Sequence, residues 1–351
     1  MIKVLRVLTL LCGVSAVAVH AGQVADLYQA DVAAEGDWQQ AALKQVLVRV
    51  SGKSDIAGGQ ELESEFKQAS AYIKQFEAVR HADGNRMRVL LDATKVNQLL
   101  QQHNIAVWGA LRPDILVWLV QQDEGNRNFV RRSEQPLNTS LRQSFGQAGL
   151  PLLLPLYDMD DLLALSETDA WAGFWQQINQ ASVRYRPDVV VVAAVDRIEQ
   201  GDGTVFRLNW QRQDAGRTFR DEITAKDESS LMQSFAASLS SQLAQQYASL
   251  MSAQAGTDYV LEVQRLTDLA ALVQVQKLLQ QVVGVSEVTI VRYDSDSAQY
   301  KLSSSISADG LMNALRFNPR LRVATDHNAE QDQSVSTTEQ PVFSRFEYIK
   351  P

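Results

Sequence analysis

The chain has 351 residues, enough for two or three hydrophobic cores, with 33 Lys and Arg against 41 Asp and Glu and a formal charge of −8. That acidic balance, with no dense basic cluster, argues against general nucleic-acid binding. The single cysteine, Cys12, lies in an N-terminal apolar run, so residues 22–351 hold no disulfide, thiolate nucleophile or cysteine-ligated metal.

Lys3 and Arg6 precede the apolar run 7–19, and Val19-His20-Ala21 follows it. A positive start, a short apolar core and small residues at the −3 and −1 positions predict a signal peptide over residues 1–21. The run is shorter than the ~20 residues of a membrane-spanning helix, so no stable span is expected after cleavage. Loss of Lys3 and Arg6 takes the charge from −8 to −10. The expected location is the periplasm.

Residues 22–109 read as a first α+β domain. Val24–Val32 alternates as a strand, and Asp37 can cap a helix to Val50 with Gly52 just past its end. Leu62, Phe66, Ala69, Ile73 and Phe76 predict an amphipathic helix from Glu61 to Val79. A turn at Asp83-Gly84-Asn85, a strand to Leu91, a helix over 94–102 and a closing strand at Ile105–Trp108 complete it. Ser51-Gly52-Lys53-Ser54 is not a phosphate loop: Leu47 stands where the earlier glycine is needed, and the segment follows a helix.

The run Ala42-Leu43…Arg49-Val50-Ser51-Gly52, then Tyr72, then Trp108-Gly109…Arg112-Pro113…Trp118, resembles an exported proteobacterial family, domain of unknown function 2066, over roughly residues 24–250. The resemblance implies location and architecture and no catalytic residue. Its motif positions, Arg49, Ser51, Gly52, Trp108, Gly109, Arg112, Pro113 and Trp118, are therefore read as structural.

Residues 110–254 read as a middle domain in the order β-α-β-α-β-β-β-α, a mixed sheet covered by helices. Pro113 holds Arg112 extended and stiffens the junction. Ile115–Val120 and Asp188–Val195 are apolar enough to be buried on both faces. Between them come a polar hairpin over 123–132, a helix over 138–147 and an apolar stretch over 150–156. A helix start follows at Asp158-Met159-Asp160-Asp161, then a helix capped by Thr168 or Asp169 with Trp171, Phe174, Trp175 and Ile178 on one side. Val205–Gln211 alternates, Arg217–Thr224 is its partner, and Leu231, Phe235, Leu239 and Leu243 mark a long helix.

Residues 257–326 follow a small polar linker in the ferredoxin-like order β-α-β-β-α-β, and residues 327–351 are expected to be a flexible tail. Its aromatics Phe343, Phe346 and Tyr348 suit docking, on the body rather than on a partner. The fold class is therefore α+β, multi-domain, with helix-covered mixed sheets.

No serine elbow, zinc signature or dinucleotide loop occurs, and His81, His103 and His327 stand apart. No cofactor is expected. The reading is a non-enzymatic accessory factor that binds another envelope protein. The alternatives are a cell-wall glycan hydrolase using two carboxylates, recognisable by their separation of roughly 5–10 Å, and a small-ligand carrier with an apolar pocket.

Overall fold

The computed structural model describes residues 24–81, 84–200, 203–214, 217–252, 256–324 and 342–350. Residues 1–23, 82–83, 201–202, 215–216, 253–255, 325–341 and 351 lie outside the described residues, and with them the expected signal peptide, most of the expected linker and the polar first part of the expected tail.

The first sheet is antiparallel, in the order β1-β3-β2, from β1 (Gln29–Ala33), β2 (Ile73–His81) and β3 (Gly84–Leu91). Helix α1 (Trp38–Ser51) lies on it, burying Ala42, Leu43, Val46, Leu47 and Val50. Asp37 accepts from Gln40 N at its start, and Gly52, with φ +71°, ends it in the left-handed conformation. Helices α2 (Glu63–Lys67) and α3 (Ala93–Gln102) complete this core.

Two expectations fail here. The helix foreseen over 61–79 stops at Lys67, passes through a 3₁₀ turn over 69–72 and becomes β2. Leu62, Phe66 and Ala69 are buried as the helical spacing implied, but beyond them β3 takes Ile73–His81 as its antiparallel partner and Phe76 is left exposed. The closing strand at 105–108 is a single bridge from Val107 to Ser249, because the chain turns directly into the next module.

The middle sheet has the order β5-β4-β7-β8-β9. It contains β4 (Ile115–Asp123), β5 (Asn126–Phe129), β7 (Val189–Gln200), β8 (Gly203–Asp214) and β9 (Arg217–Ala225), with the short β6 (Leu152–Leu153) parallel to the start of β4. β4 and β7 are parallel neighbours and both faces of each are covered. Ile115, Val117 and Leu119 face α4 (Pro136–Ala148) and α8 (Glu228–Tyr247), meeting Phe145 and Phe235. Leu116, Trp118 and Val120 face the other layer, α5 (Met159–Ala164), α6 (Glu167–Ala172) and α7 (Trp175–Ser182). The single helix foreseen after residue 168 is two: Ser166 caps α6, and Gly173 at φ +71° breaks the run before α7.

The third sheet carries α9 (Leu269–Gln280) and α10 (Ala308–Arg316) on β10 (Thr257–Gln264), β11 (Val285–Asp294), β12 (Ser297–Ser304) and β13 (Leu321–Val323). The element order is ferredoxin-like, but the sheet has five strands. β14 (Ser344–Tyr348) lies between β10 and β13, parallel to the first and antiparallel to the second. The end of the segment read as a flexible tail is thus an interior strand. Phe346 is fully buried, Tyr348 donates to Gln274 Oε1 at 2.9 Å, and Arg345 and Glu347 pair with Glu262 and Arg265. Alternating apolar side chains toward the core and charges on the other face are the pattern of a strand covered on one side.

Candidate functional site

Six of the eight motif positions meet where the first and middle modules join. α1 delivers Arg49, Ser51 and Gly52 at its C-terminal end, and the chain between the modules delivers Trp108, Gly109 and Arg112. Arg112 is completely buried. Its Nε donates to Gly109 O at 2.9 Å, Nη1 to Ala148 O at 3.2 Å and Gly149 O at 2.9 Å, and Nη2 to Arg49 O at 2.6 Å and Trp108 O at 2.9 Å. Five bonds match the five donors of a guanidinium, so every N–H is satisfied by main chain. The Trp108 ring lies 4.1 Å below the Arg112 guanidinium carbon. Burial, then the neighbouring Arg49 charge, lowers the Arg112 pKa to about 9, so it remains charged at neutral pH.

Arg49 extends the same clamp. Its Nε donates to Gln147 O at 3.0 Å, and its Nη1 to Gln29 O at 2.5 Å and Asp26 O at 3.2 Å. The two guanidiniums therefore bind carbonyls that close α1, open β1 and end α4. Carbonyl acceptors hold a cation without inviting substrate, and no exposed N–H remains on Arg112 to polarise one.

The glycines are close-packing positions. A Cβ on Gly149 would lie 2.8 Å from Arg49 Cγ, and one on Gly52 only 2.4 Å from Ala244 Cβ on α8. Gly52→Ala is expected to lower stability by about 1–3 kcal/mol, from strain at positive φ plus the clash. A fall in the urea midpoint checks this, and an unchanged midpoint would contradict the contact. Ser51 Oγ accepts from Lys53 N at 3.1 Å, turning the chain after α1. Gly109 packs toward Val283 of the third module. Pro113 follows the clamp, buried, and Trp118 lies elsewhere, on the opposite face of the middle sheet, with Nε1 donating to Ser182 Oγ at 3.0 Å.

Three features carried no sequence signal. One is a cleft of about 500 Å³ between α1 and the β1–β3 edge on one side and α4 and α8 on the other. A second is the apolar surface around α5, where Leu156, Met159, Leu163 and Val183 are each 70–80% exposed. The same two segments are tied by a polar knot: Arg184 donates to Asp158 at 2.7 and 2.9 Å and to the buried Asp161 at 3.2 Å, and Leu156 N donates to Tyr185 Oη at 2.9 Å. Asp158 also caps α5 by accepting from Asp161 N, the role expected for it.

The third is a carboxylate pair. Asp114 N donates to Asp188 Oδ2 at 2.8 Å, and Asp114 Oδ1 is buried without a hydrogen-bond partner among the described residues. Desolvation, then Asp188, raises the Asp114 pKa from its ordinary 3.8 to about 6. Asp188 is raised as well, with desolvation leading. The pair precedes β4 and β7, whereas open α/β sheets bind ligands beyond the carboxyl ends of their strands. A raised native pKa means that the folded state holds its proton more tightly than the unfolded state. Stability therefore falls as pH rises from about 4 to about 6, and the penalty persists above that window. Asp114→Asn is expected to gain stability over wild type at pH 7 and to gain little at pH 4. Urea titrations at both values check the sign, and an equal gain at the two would contradict it.

Among the described residues, no group of three His, Cys, Asp or Glu could hold a metal ion, and no helix is long and apolar enough to cross a membrane.

The fold is thus an α+β protein of three helix-covered sheets, clamped by arginines at its first junction. Residues 21–109 match the model of a domain of unknown function, number 8605. The resemblance to family 2066 is thereby corrected: the matching family is a different one, and it spans the first module alone. Arg49, Ser51 and Gly52 fall within the match, while Arg112, Pro113 and Trp118 lie beyond it. Comparison with curated proteins and with solved structures returned no match.

Proposed function

We propose that the chain is a non-enzymatic accessory protein of the cell envelope, exported by a leader at residues 1–21, which binds a partner protein through the apolar face around α5. The observation that carries this reading is the cluster of Leu156, Met159, Leu163 and Val183 on one layer, each 70–80% exposed. Isolated exposed aliphatics are ordinary, but four on two short segments joined by the Arg184–Asp158 ion pair support an interaction site. A structural role for the motif is supported by Arg49 and Arg112, whose side-chain hydrogen bonds all go to main-chain carbonyls. The leader pattern at residues 1–21 supports the periplasm.

A photo-crosslinking residue at Leu163, with a control at Lys74 on β2, tests the surface in living cells. One protein is expected to crosslink at 163 and not at 74. The double variant Met159→Asp, Leu163→Asp should abolish that product while its melting temperature stays within about 2 °C of wild type, as exposed substitutions do. Equal crosslinking at both positions, or a product indifferent to the double variant, would sink the proposal. Turnover of cell-wall glycan by the purified chain, lost in Asp114→Asn, would replace it with the hydrolase reading.

A further inference from the structure

We propose that the cleft between the first and middle modules binds an anionic amphiphile: one aliphatic chain ending in a carboxylate or phosphate. The inference is independent of the α5 surface, which lies on the other helical layer of the middle sheet.

The volume, about 500 Å³, falls within the ~300–1,000 Å³ of small-molecule sites. The walls are two packed modules, and clefts between domains are where such sites concentrate. Val48 of α1, Ala148 of α4, and Ala236 and Ala237 of α8 supply an apolar lining made largely of small side chains. On α8 the two alanines stand between Gln233 and Ser240, and Ala236 also packs on the core beside the Leu231–Leu243 face.

The charge of the cleft is opposite to that of the chain. The protein is formally −8, yet the ionisable groups lining the cleft are Lys44, Arg86 and Asp31, one more positive than negative. Arg86 forms an ion pair with Asp31. Lys44 has no carboxylate partner among the described residues; its ammonium lies 4.8 Å from the centre of the Phe66 ring. An acidic protein that keeps one uncompensated cation at the wall of an apolar cleft is suited to an anion carrying an apolar chain.

The test is calorimetric titration of the full chain with monomeric dodecanoate, dodecyl phosphate, dodecanol and dodecyltrimethylammonium, beside vesicles of phosphatidylglycerol. Saturable one-to-one binding of the two anions is expected, with dodecanol weaker by about tenfold and the cation not bound. Lys44→Glu should weaken the anions about tenfold and leave dodecanol unchanged. Ala237→Trp should remove all binding by filling the cleft. Should that variant fold poorly, hydrogen exchange on wild type gives the location: dodecanoate is expected to protect α1 and α8 and to leave α9 and α10 untouched. Absence of saturable binding, equal affinity for the cationic amphiphile, binding to vesicles alone, or protection confined to the third module would each overturn the proposal.

Discussion

Replacing Arg112 by methionine is expected to lower the stability of the junction between the first and middle modules by about 3–5 kcal/mol, the usual consequence of removing one side of a buried charged hydrogen-bond set. Methionine fills much of the same volume, so the loss is not a cavity effect. It leaves the carbonyls of Arg49, Trp108, Gly109, Ala148 and Gly149 without their shared donor in a dry interior. Arg112→Lys is not expected to rescue, because an ammonium has three donors on a point and cannot span carbonyls from three segments. The measurement is urea unfolding together with limited proteolysis. New cleavage between 109 and 113 is expected before either module unfolds. A loss under about 1 kcal/mol would show that the clamp is dispensable.

Phe346→Ala is expected to destabilise the third module by about 3–5 kcal/mol, as for other fully buried aromatics. The effect should be confined there. Amide exchange in β10 and β13 is expected to accelerate, because β14 is the strand hydrogen-bonded to both, while β4 and β7 exchange as in wild type. Deletion of residues 342–350 should reproduce the pattern with larger amplitude. Unaltered exchange in β10 after deletion would mean that the strand is not an interior one.

Those two residues also show where sequence reasoning stops. Elements whose signals are local were readable. α1 and α8 have an acid at the N-cap and a buried stripe at helical spacing, and β4 and β7 are apolar runs too long to expose. The 61–79 segment misled because Leu62, Phe66, Ala69, Ile73 and Phe76 keep helical spacing across the point where structure changes. Only β3, a distant partner, decides that residues from Ile73 onward are strand. β14 was hidden for the same reason: its slot is made by β10 and β13, and a polar stretch precedes it in sequence. Arg49 and Arg112 were noticed as motif letters, but their function in the fold could not be, since backbone carbonyls leave no side-chain signature. The cleft and the α5 surface exist only once modules and layers are packed.

The placement of β14 has a consequence for how the third module is made. Of all the described strands it is the last in the chain, yet it sits second from one edge of its sheet. Until Ser344–Tyr348 arrives, β10 offers an open row of amides and carbonyls after α9, β11, β12 and α10 already exist, and the β13 segment has no strand partner. A newly synthesised molecule is therefore adhesive for that interval, and a holding chaperone that recognises extended edges would find its target there. Affinity handles placed directly after residue 350 would load this closing step, so a handle ahead of the first module is the safer choice for purification.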